Sequence, residues 1–512
     1  MDVDVEEVMW YCAAHGIALA PPDVKLRTQG LVLLAPVSLR PCRVPRQAFR
    51  GVEALSHSIN HMVDAVARDH DFLMQTLQGV ASQDPFTASL LDLLPLCDPA
   101  GVQLSVIRSD YMLQESSGMF KQVEVNTVAS SLAGLGHRVA QMHQYLEGKR
   151  EQEGRSPGLL VEPTEPWRVV SQCMATTHQR FVQQYGSGVD AAAKEVVAAE
   201  SQDQDVEVLG TVLLYIVQPV ERNMVDQKDL QFHLEDLGVQ VIRRTLKEVQ
   251  ETAILVGPHK HLMVPVPASD DPHRKLFYRV SVVYFRAGYT PTDYPTEEEW
   301  KARALLQSSS AVQCPTVAVQ LAGTKKVQQV LGKREVLRRF LDQSSPDLEK
   351  QVDDMTSCFM GMYALEDSDE ETLCALQRAV ENPDDFLLKP QREGGGNLVY
   401  GEDLRTRVSK ALQSHQQGTK KAEELGVEFT LMERIVPVCN PNGVFLREGQ
   451  LFEAPTISEI GIFSCILSEG ATKLVDEKAG YLVRTKTVGT QEGGMATGAS
   501  CVDSLSLFDA PE

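Results

Sequence analysis

Lysine, arginine and glutamate flank three consecutive glycines in Lys389-Pro390-Gln391-Arg392-Glu393-Gly394-Gly395-Gly396-Asn397. This is phosphate-binding chemistry: glycines let backbone N–H groups close on an anion, Lys and Arg neutralise charge, and Glu can hold a hard cation such as magnesium. Three glycines alone would favour an ordinary surface turn; the charged neighbours after a strand bring the phosphate reading level with it. In Gln122-Val123-Glu124-Val125-Asn126-Thr127, strand alternation puts Glu124 and Asn126 on one side, offering two oxygens to one cation. Taken alone, that alternation also describes the wet face of a strand. Arg108, following Val106-Ile107, can face the same site. Near the C-terminus, Arg484-Thr485-Lys486 precedes a second glycine-rich stretch, Glu492-Gly493-Gly494-Met495-Ala496-Thr497-Gly498.

Other chemistries find less support. Leu321-Ala322-Gly323-Thr324-Lys325-Lys326 lacks the spacing of a Walker A loop. His57 and His61 stand four apart, as zinc ligands can, yet no Glu follows His57 and no third ligand is near, so surface or packing roles fit better. There is no G-x-S-x-G elbow, and Cys314 has no readable His partner.

Strands and helices must carry these groups. Phe386-Leu387-Leu388 reads as a buried strand delivering Lys389 into its loop. Residues 211–217, a helical stretch from Asp226 to Leu237 closed by Gly238, and residues 239–242 predict a βαβ unit. A strand over Val280–Phe285 ends at Arg286-Ala287-Gly288-Tyr289, where an α/β sheet displays ligand-binding residues, so Arg286 is a candidate anion clamp, or else a solvated strand-end arginine. Residues 45–78, with Val63 and Val66 at helical spacing, predict packed helix. The acidic run Glu366 to Glu371 reads as solvated surface. Breaks are expected at Gly148 to Pro166, Ala199 to Asp205, Gly257 to Lys275 and Asp342 to Lys350.

With 512 residues, 43% hydrophobic and 23% charged, the chain suits about three globular domains. A formal net charge of −21 argues against a general nucleic-acid or anionic-membrane binder, so any phosphate site must be local. Ten cysteines without a C-x-x-C pair fit free thiols in a reducing compartment. The acidic beginning, Met1-Asp2-Val3-Asp4-Val5-Glu6-Glu7, and the lack of a long apolar segment predict a soluble cytoplasmic protein.

Taken together, Arg108 to Met112, Lys121 to Thr127, Glu221 to Asn223, Tyr284 to Arg286, Leu321 to Gln329, Lys389 to Asn397, Ser458-Glu459 and Leu482 to Lys486 resemble the eukaryotic-type glutathione synthetase family, in the family's order. The resemblance implies an α/β (α+β) architecture: an ATP-grasp fold, ATP between two antiparallel sheets, a mobile lid and a separate α/β substrate-binding domain. The implied division is an N-terminal part of the main body at 1–204, the substrate-binding domain at 205–299 and the catalytic part at 300–512, with the lid at roughly 345–440. The implied reaction joins γ-glutamylcysteine to glycine: ATP phosphorylates the cysteinyl carboxylate, and the glycine amine attacks the acyl phosphate. A homodimer is also implied. Residue by residue, Glu124, Asn126 and Glu393 match magnesium ligands. Glu124, Lys325, Lys389, Gln391, Arg392, Glu393, Gly394, Gly395, Gly396, Asn397, Tyr400, Met432, Glu433, Arg434, Ile435, Glu459, Lys486 and Glu492 match ATP-binding positions. Arg108, Ser131, Glu221, Asn223, Gln227, Arg286, Tyr289 and Arg484 match dipeptide contacts, and Met495 and Ala496 fall where glycine is held. Arg108, Arg484 and Lys486 are the implied catalytic residues. Leu398, Ala287, Glu492 and Met495 depart from residues common in the family, none of them a proposed metal ligand or phosphate lysine. The alternatives are a homologous ligase for another small amino acid and a catalytically silent nucleotide-binding protein.

Overall fold

The strand Gln450–Glu469 organises the protein's largest sheet. Its even-numbered Ile460, Ile462 and Ile466 enter one apolar core and its odd-numbered Phe463, Cys465 and Leu467 enter another. Period-two alternation with both faces apolar requires cover on both sides. Helices including Ser56–Arg68 and Val317–Ala322 supply it on one face; Ala133–Gln152 and Pro166–Tyr185 supply it on the other. This computed structural model describes residues 4–154, 158–187, 197, 206–266, 275–391, 398–419, 425–426, 428–490 and 500–509.

The sheet has seven strands in the order Cys439–Arg447, Val37–Ser38, Ser500–Asp503, Thr472–Thr487, Gln450–Glu469, Val102–Leu113, Phe120–Asn126. Only the Ser500–Asp503 and Val37–Ser38 pair is parallel. A second antiparallel sheet has three strands, with Phe429–Glu433 between Met362–Ala364 and Phe386–Pro390. Helices Glu370–Glu381 and Gly401–Gln417 give it an apolar core of its own.

The third large sheet runs Val241–Arg244, Val206–Ile216, Lys275–Phe285, His261–Pro265, Ile254–Val256, with Val312–Cys314 also against Lys275–Phe285. Val206–Ile216, helix Met224–Asp236 and Val241–Arg244 form the parallel βαβ unit that the sequence predicts, and Gly238 leaves the helix at a positive φ of 79°.

Some expectations change. Residues 45–78 are helical and packed as expected, divided into three helices, Arg46–Ala54, Ser56–Arg68 and His70–Ala81. The Gly148 to Pro166 break begins only after Gln152 and runs to helix Pro166–Tyr185: Ala133–Gln152 continues through Gly148 because buried Met142 and Leu146 outweigh the cost of one glycine, about 1 kcal/mol. The Gly257 to Lys275 stretch contains strand His261–Pro265, and helix Leu348–Cys358 starts inside the Asp342 to Lys350 stretch. The acidic run is not simply solvated: Asp369 caps helix Glu370–Glu381, and Glu366 pairs with Lys326.

Candidate active site

Asp110 lies at the junction of the site. Two residues from Arg108 on one strand, it shares that residue's face, and it is completely buried. Arg108 donates through Nε at 2.7 Å and Nη2 at 2.9 Å to its two oxygens, a bidentate pair. Asn126 Nδ2 and Arg484 Nη2 add bonds of 2.9 and 2.8 Å to Oδ2. Arg484 also donates to Glu459, its register partner across the sheet. Gly461 stands opposite Asp110 in the register, and a Cβ there would meet Asp110 Oδ1 at 2.6 Å.

One strand further out, Lys325 Nζ sits 3.0 Å from Glu124, and Lys389 Nζ donates at 2.7 Å to the Val123 carbonyl. Burial alone would raise the Glu124 carboxyl, but Lys325, Lys389 and Arg484 outweigh it and hold the group far below its usual range. Burial raises Glu459 despite Arg484, helped by Asp110 and Glu124. Burial lowers Lys486, with Glu459 opposing.

Asn126 directs its Nδ2 to Asp110 and to the Arg108 carbonyl at 3.3 Å, leaving its oxygen turned away from those contacts. An ionised Glu124 beside that amide oxygen is a hard donor set, and magnesium takes one or two protein oxygens together with phosphates and water. The residues present therefore fit the ion; among the described residues no three His, Cys, Asp or Glu side chains cluster as an all-protein cage.

Beside the lysines lies an open, largely apolar cleft between the large sheet and the three-stranded sheet, its lining including Val123, Val125, Phe359, Met360, Met362 and Met432. The Glu433 side chain turns away to Arg378 at 2.7 Å and Tyr363 at 3.1 Å. The N–H groups of Glu433 and Arg434 are occupied by the Gly361 and Asp385 carbonyls. Of Met432 to Ile435, Met432 alone lines the cleft. Ile435, beyond Glu433 and Arg434, is buried, and Tyr400 leads into helix Gly401–Gln417. Gln391 is fixed by Nε2 donating to Thr430 at 2.7 Å, while Leu388 and Val399 exchange two backbone hydrogen bonds.

A separate narrow cavity, with free space of about 10 Å³, roughly one water molecule, lies where the large sheet meets the sheet of strand Lys275–Phe285, and its lining includes Ser130, Asp226, Gln227, Tyr284, Arg286 and Phe463. Arg286 Nη1 donates to the Ser130 carbonyl at 2.9 Å, and Arg108 Nη1 to the Ser131 carbonyl at 3.2 Å. One loop thus joins both arginines. Asp226 fastens that loop, accepting from the N–H groups of Leu132, Gly134 and Leu135 at 2.8, 2.8 and 3.2 Å and from Asn223 Nδ2 at 2.9 Å. Leu132 needs this support because its φ of 73° is unusual for a side-chain-bearing residue. Glu221 accepts from the Asn223 N–H at 2.8 Å, and the Tyr289 N–H donates to Asp293 at 3.1 Å.

The structure thus gathers Arg108, Glu124, Asn126, Lys325, Lys389, Glu459, Arg484 and Lys486 around one region, and Glu221, Asn223, Gln227, Arg286 and Tyr289 about the other. Arg392, Glu393, Gly394, Gly395, Gly396, Asn397, Glu492, Met495 and Ala496 lie outside the described residues. The sequence pattern assigns no role to Asp110, Asp226, Phe359 or Met360. For Asp110 a signal existed, since period two places it beside Arg108; Asp226 and the cleft residues depend on partners distant in sequence.

This mixed α/β fold, with a lysine-flanked carboxylate beside an apolar cleft, suits an ATP-binding ligase, and similarity to known proteins shows its kind. The model of the eukaryotic glutathione synthase ATP-binding domain matches residues 3–507. The chain is 35% identical to a chloroplastic glutathione synthetase of Solanum lycopersicum, covering 92% of this chain and 78% of that protein. It is 32% identical to the glutathione synthetase of Homo sapiens, covering 96% and 94%. The chain belongs to the eukaryotic glutathione synthetase family. A glutathione synthetase-like effector from Globodera pallida, solved in its apo form, shares the fold with a TM-score of 0.69 at 17% identity, covering 98% and 96% of the two chains.

Proposed function

We propose that this chain joins γ-glutamylcysteine to glycine with cleavage of ATP to ADP and phosphate. The observation carrying this reading is the juxtaposition of Glu124 and Asn126 with Lys325 and Lys389 beside the apolar cleft, linked through Asp110 and Arg108 to the loop that borders the second cavity. The base of ATP occupies the cleft at Met432, and its phosphates extend past Lys325 and Lys389 toward Gln391, Arg392 to Asn397 and Tyr400. Glu124, Asn126 and Glu393 would hold magnesium, which supplies charge neutralisation at the phosphate oxygens.

The dipeptide lies along Arg108, Ser131, Glu221, Asn223, Gln227, Arg286, Tyr289 and Arg484, with its cysteinyl carboxylate at the Arg108 and Arg484 end. A carboxylate resists an amine until one oxygen becomes a phosphate leaving group, so the chemistry is chiefly charge control and positioning. Its oxygen attacks the γ-phosphorus, ADP leaves, and the acyl phosphate then accepts the glycine amine with loss of phosphate. Arg108, Arg484 and Lys486 stabilise the developing negative charge, Glu459 and Glu492 assist at the nucleotide, and Met495 and Ala496 hold glycine. We assign 205–299 to substrate binding and roughly 345–440 to the lid.

The resemblance supports a homodimer. Ten free cysteines support a reducing, cytoplasmic setting. Among the described residues no helix is long and apolar enough to cross a membrane.

The test is ADP release with magnesium, γ-glutamylcysteine and a panel of amino acids, with hydroxylamine to trap acyl phosphate. Dipeptide-dependent ADP, a hydroxamate and preference for glycine are expected. No dipeptide-dependent ADP sinks the ligase reading, and preference for another amine moves the chain to the homologous-ligase alternative.

A further inference from the structure

Arg243 stands behind the second cavity without lining it. It lies on edge strand Val241–Arg244, its guanidinium 5.6 Å from the centre of the Tyr215 ring, and Nη2 donates to Gln227 Oε1. An arginine has donors only, so the atom it fixes must be the amide oxygen. The Gln227 NH2 group therefore cannot turn toward Arg243.

That amide nitrogen is buried and, among the described residues, has no partner. Arg286 Nε is in the same condition, and both residues line the cavity. Asp226 supplies no compensating acceptor: three backbone N–H groups and Asn223 already occupy its oxygens. Two buried, unpaired donors with a second guanidinium behind them call for an acceptor carrying negative charge. Asn223 Oδ1 is a buried, unpaired acceptor on the same helix entry, with Glu221 next to it, which suits an ammonium group.

We infer that Arg243 is a positioning residue that fixes the Gln227 amide with its donor toward the cavity, so that the γ-glutamyl α-carboxylate of the dipeptide is recognised there. The inference rests on the ligase reading and adds to it the source of selectivity for the free amino-acid end of the donor.

The experiment compares γ-glutamylcysteine with 4-aminobutyrylcysteine, which lacks the α-carboxylate, and with glutarylcysteine, which lacks the α-amine. Wild-type and Arg243→Met proteins are assayed for kcat and for KM toward each donor and ATP. Expected for Arg243→Met is a KM for γ-glutamylcysteine and glutarylcysteine raised about 10- to 100-fold, with little change for 4-aminobutyrylcysteine, ATP or kcat. Gln227→Glu, nearly the same shape, keeps an Arg243 partner but puts acceptors where the donor stood, and should show the same selective loss. This second variant decides the matter if Arg243→Met does not fold. Equal losses for all three donors, or a changed KM for ATP, overturn the inference while leaving the ligase reading intact. A wild-type protein inactive with γ-glutamylcysteine overturns both.

Discussion

Asp110 accepts four hydrogen bonds while exposing none of its surface, and its two arginine partners belong to different strands. A buried carboxylate is tolerable only because those guanidiniums surround it, and removing its charge leaves them uncompensated. Asp110→Asn is expected to cost about 3–5 kcal/mol in denaturant unfolding and to lower kcat sharply, since Arg108 and Arg484 lose their anchor. Unchanged stability would mean that the arginines are neutralised elsewhere. Glu124 answers to a different demand, because Lys325 and Lys389 keep it ionised against its burial. Glu124→Gln is expected to reduce kcat about 10²- to 10³-fold and raise the magnesium requirement, with the dipeptide KM within about twofold. Glu393→Gln should behave alike, and equal losses in turnover and dipeptide binding would count against a metal role for either.

Strands set these groups in place, so a backbone-level substitution should reach the site without touching a charged residue. At Gly461 a Cβ would also stand 2.7 Å from Arg108 Cδ, so Gly461→Ala should displace the Arg108 and Asp110 pair. A stability loss of about 1–3 kcal/mol with a larger proportional fall in turnover is expected, read by thermal unfolding alongside ADP release. The short strand Ser500–Asp503 gives a pH test. Burial pushes the Asp503 carboxyl up to about 7, although Thr485 and the Ser504 N–H favour the charged form. A carboxyl raised by folding contributes stability fully present below its unfolded value near 3.8 and lost as pH rises through about 7. Relative to Asp503→Asn, the wild type should therefore weaken between pH 4 and 7, by an amount on the order of 4 kcal/mol, and then level off. Taking the difference suppresses neighbouring His143, which burial lowers to about 4 and which therefore loses stability in the opposite direction, as pH falls below 6.5. A flat difference would show that Asp503 ionises as readily folded as unfolded. Periodicity and turn chemistry make the βαβ unit, the strands bearing Glu124 and Lys389 and the strand ending just before Arg286 legible in the sequence, because local burial alone determines those patterns. The Gly148 to Pro166 break starts late, after Gln152, because the helix through Gly148 is held by long-range packing. Asp226 read as a helix start, yet its carboxylate caps another helix some ninety residues away, which no local pattern records.

At the scale of the whole molecule, a chain of net charge −21 repels anions at long range, so ATP and dipeptide depend on short-range positive groups in two separate places. Their effects should therefore separate spatially. The three-stranded sheet has its own apolar core and faces the large sheet across the cleft, so magnesium and ATP should slow amide hydrogen exchange in Phe429–Glu433 and Met362–Ala364. The dipeptide alone should instead protect Leu132 to Leu135 and helix Met224–Asp236, which the Asp226 carboxylate ties together. With both ligands present, Arg108, Asp110 and Arg484 lie between the two sites, and the loss of freedom that one ligand imposes on them need not be met again by the other. Each ligand should therefore tighten binding of the other equally, a reciprocity that equilibrium binding checks without turnover if a non-hydrolysable ATP analogue is used. Asp110→Asn should abolish that coupling. Coupling that persists in this variant would show that the sites communicate by another route.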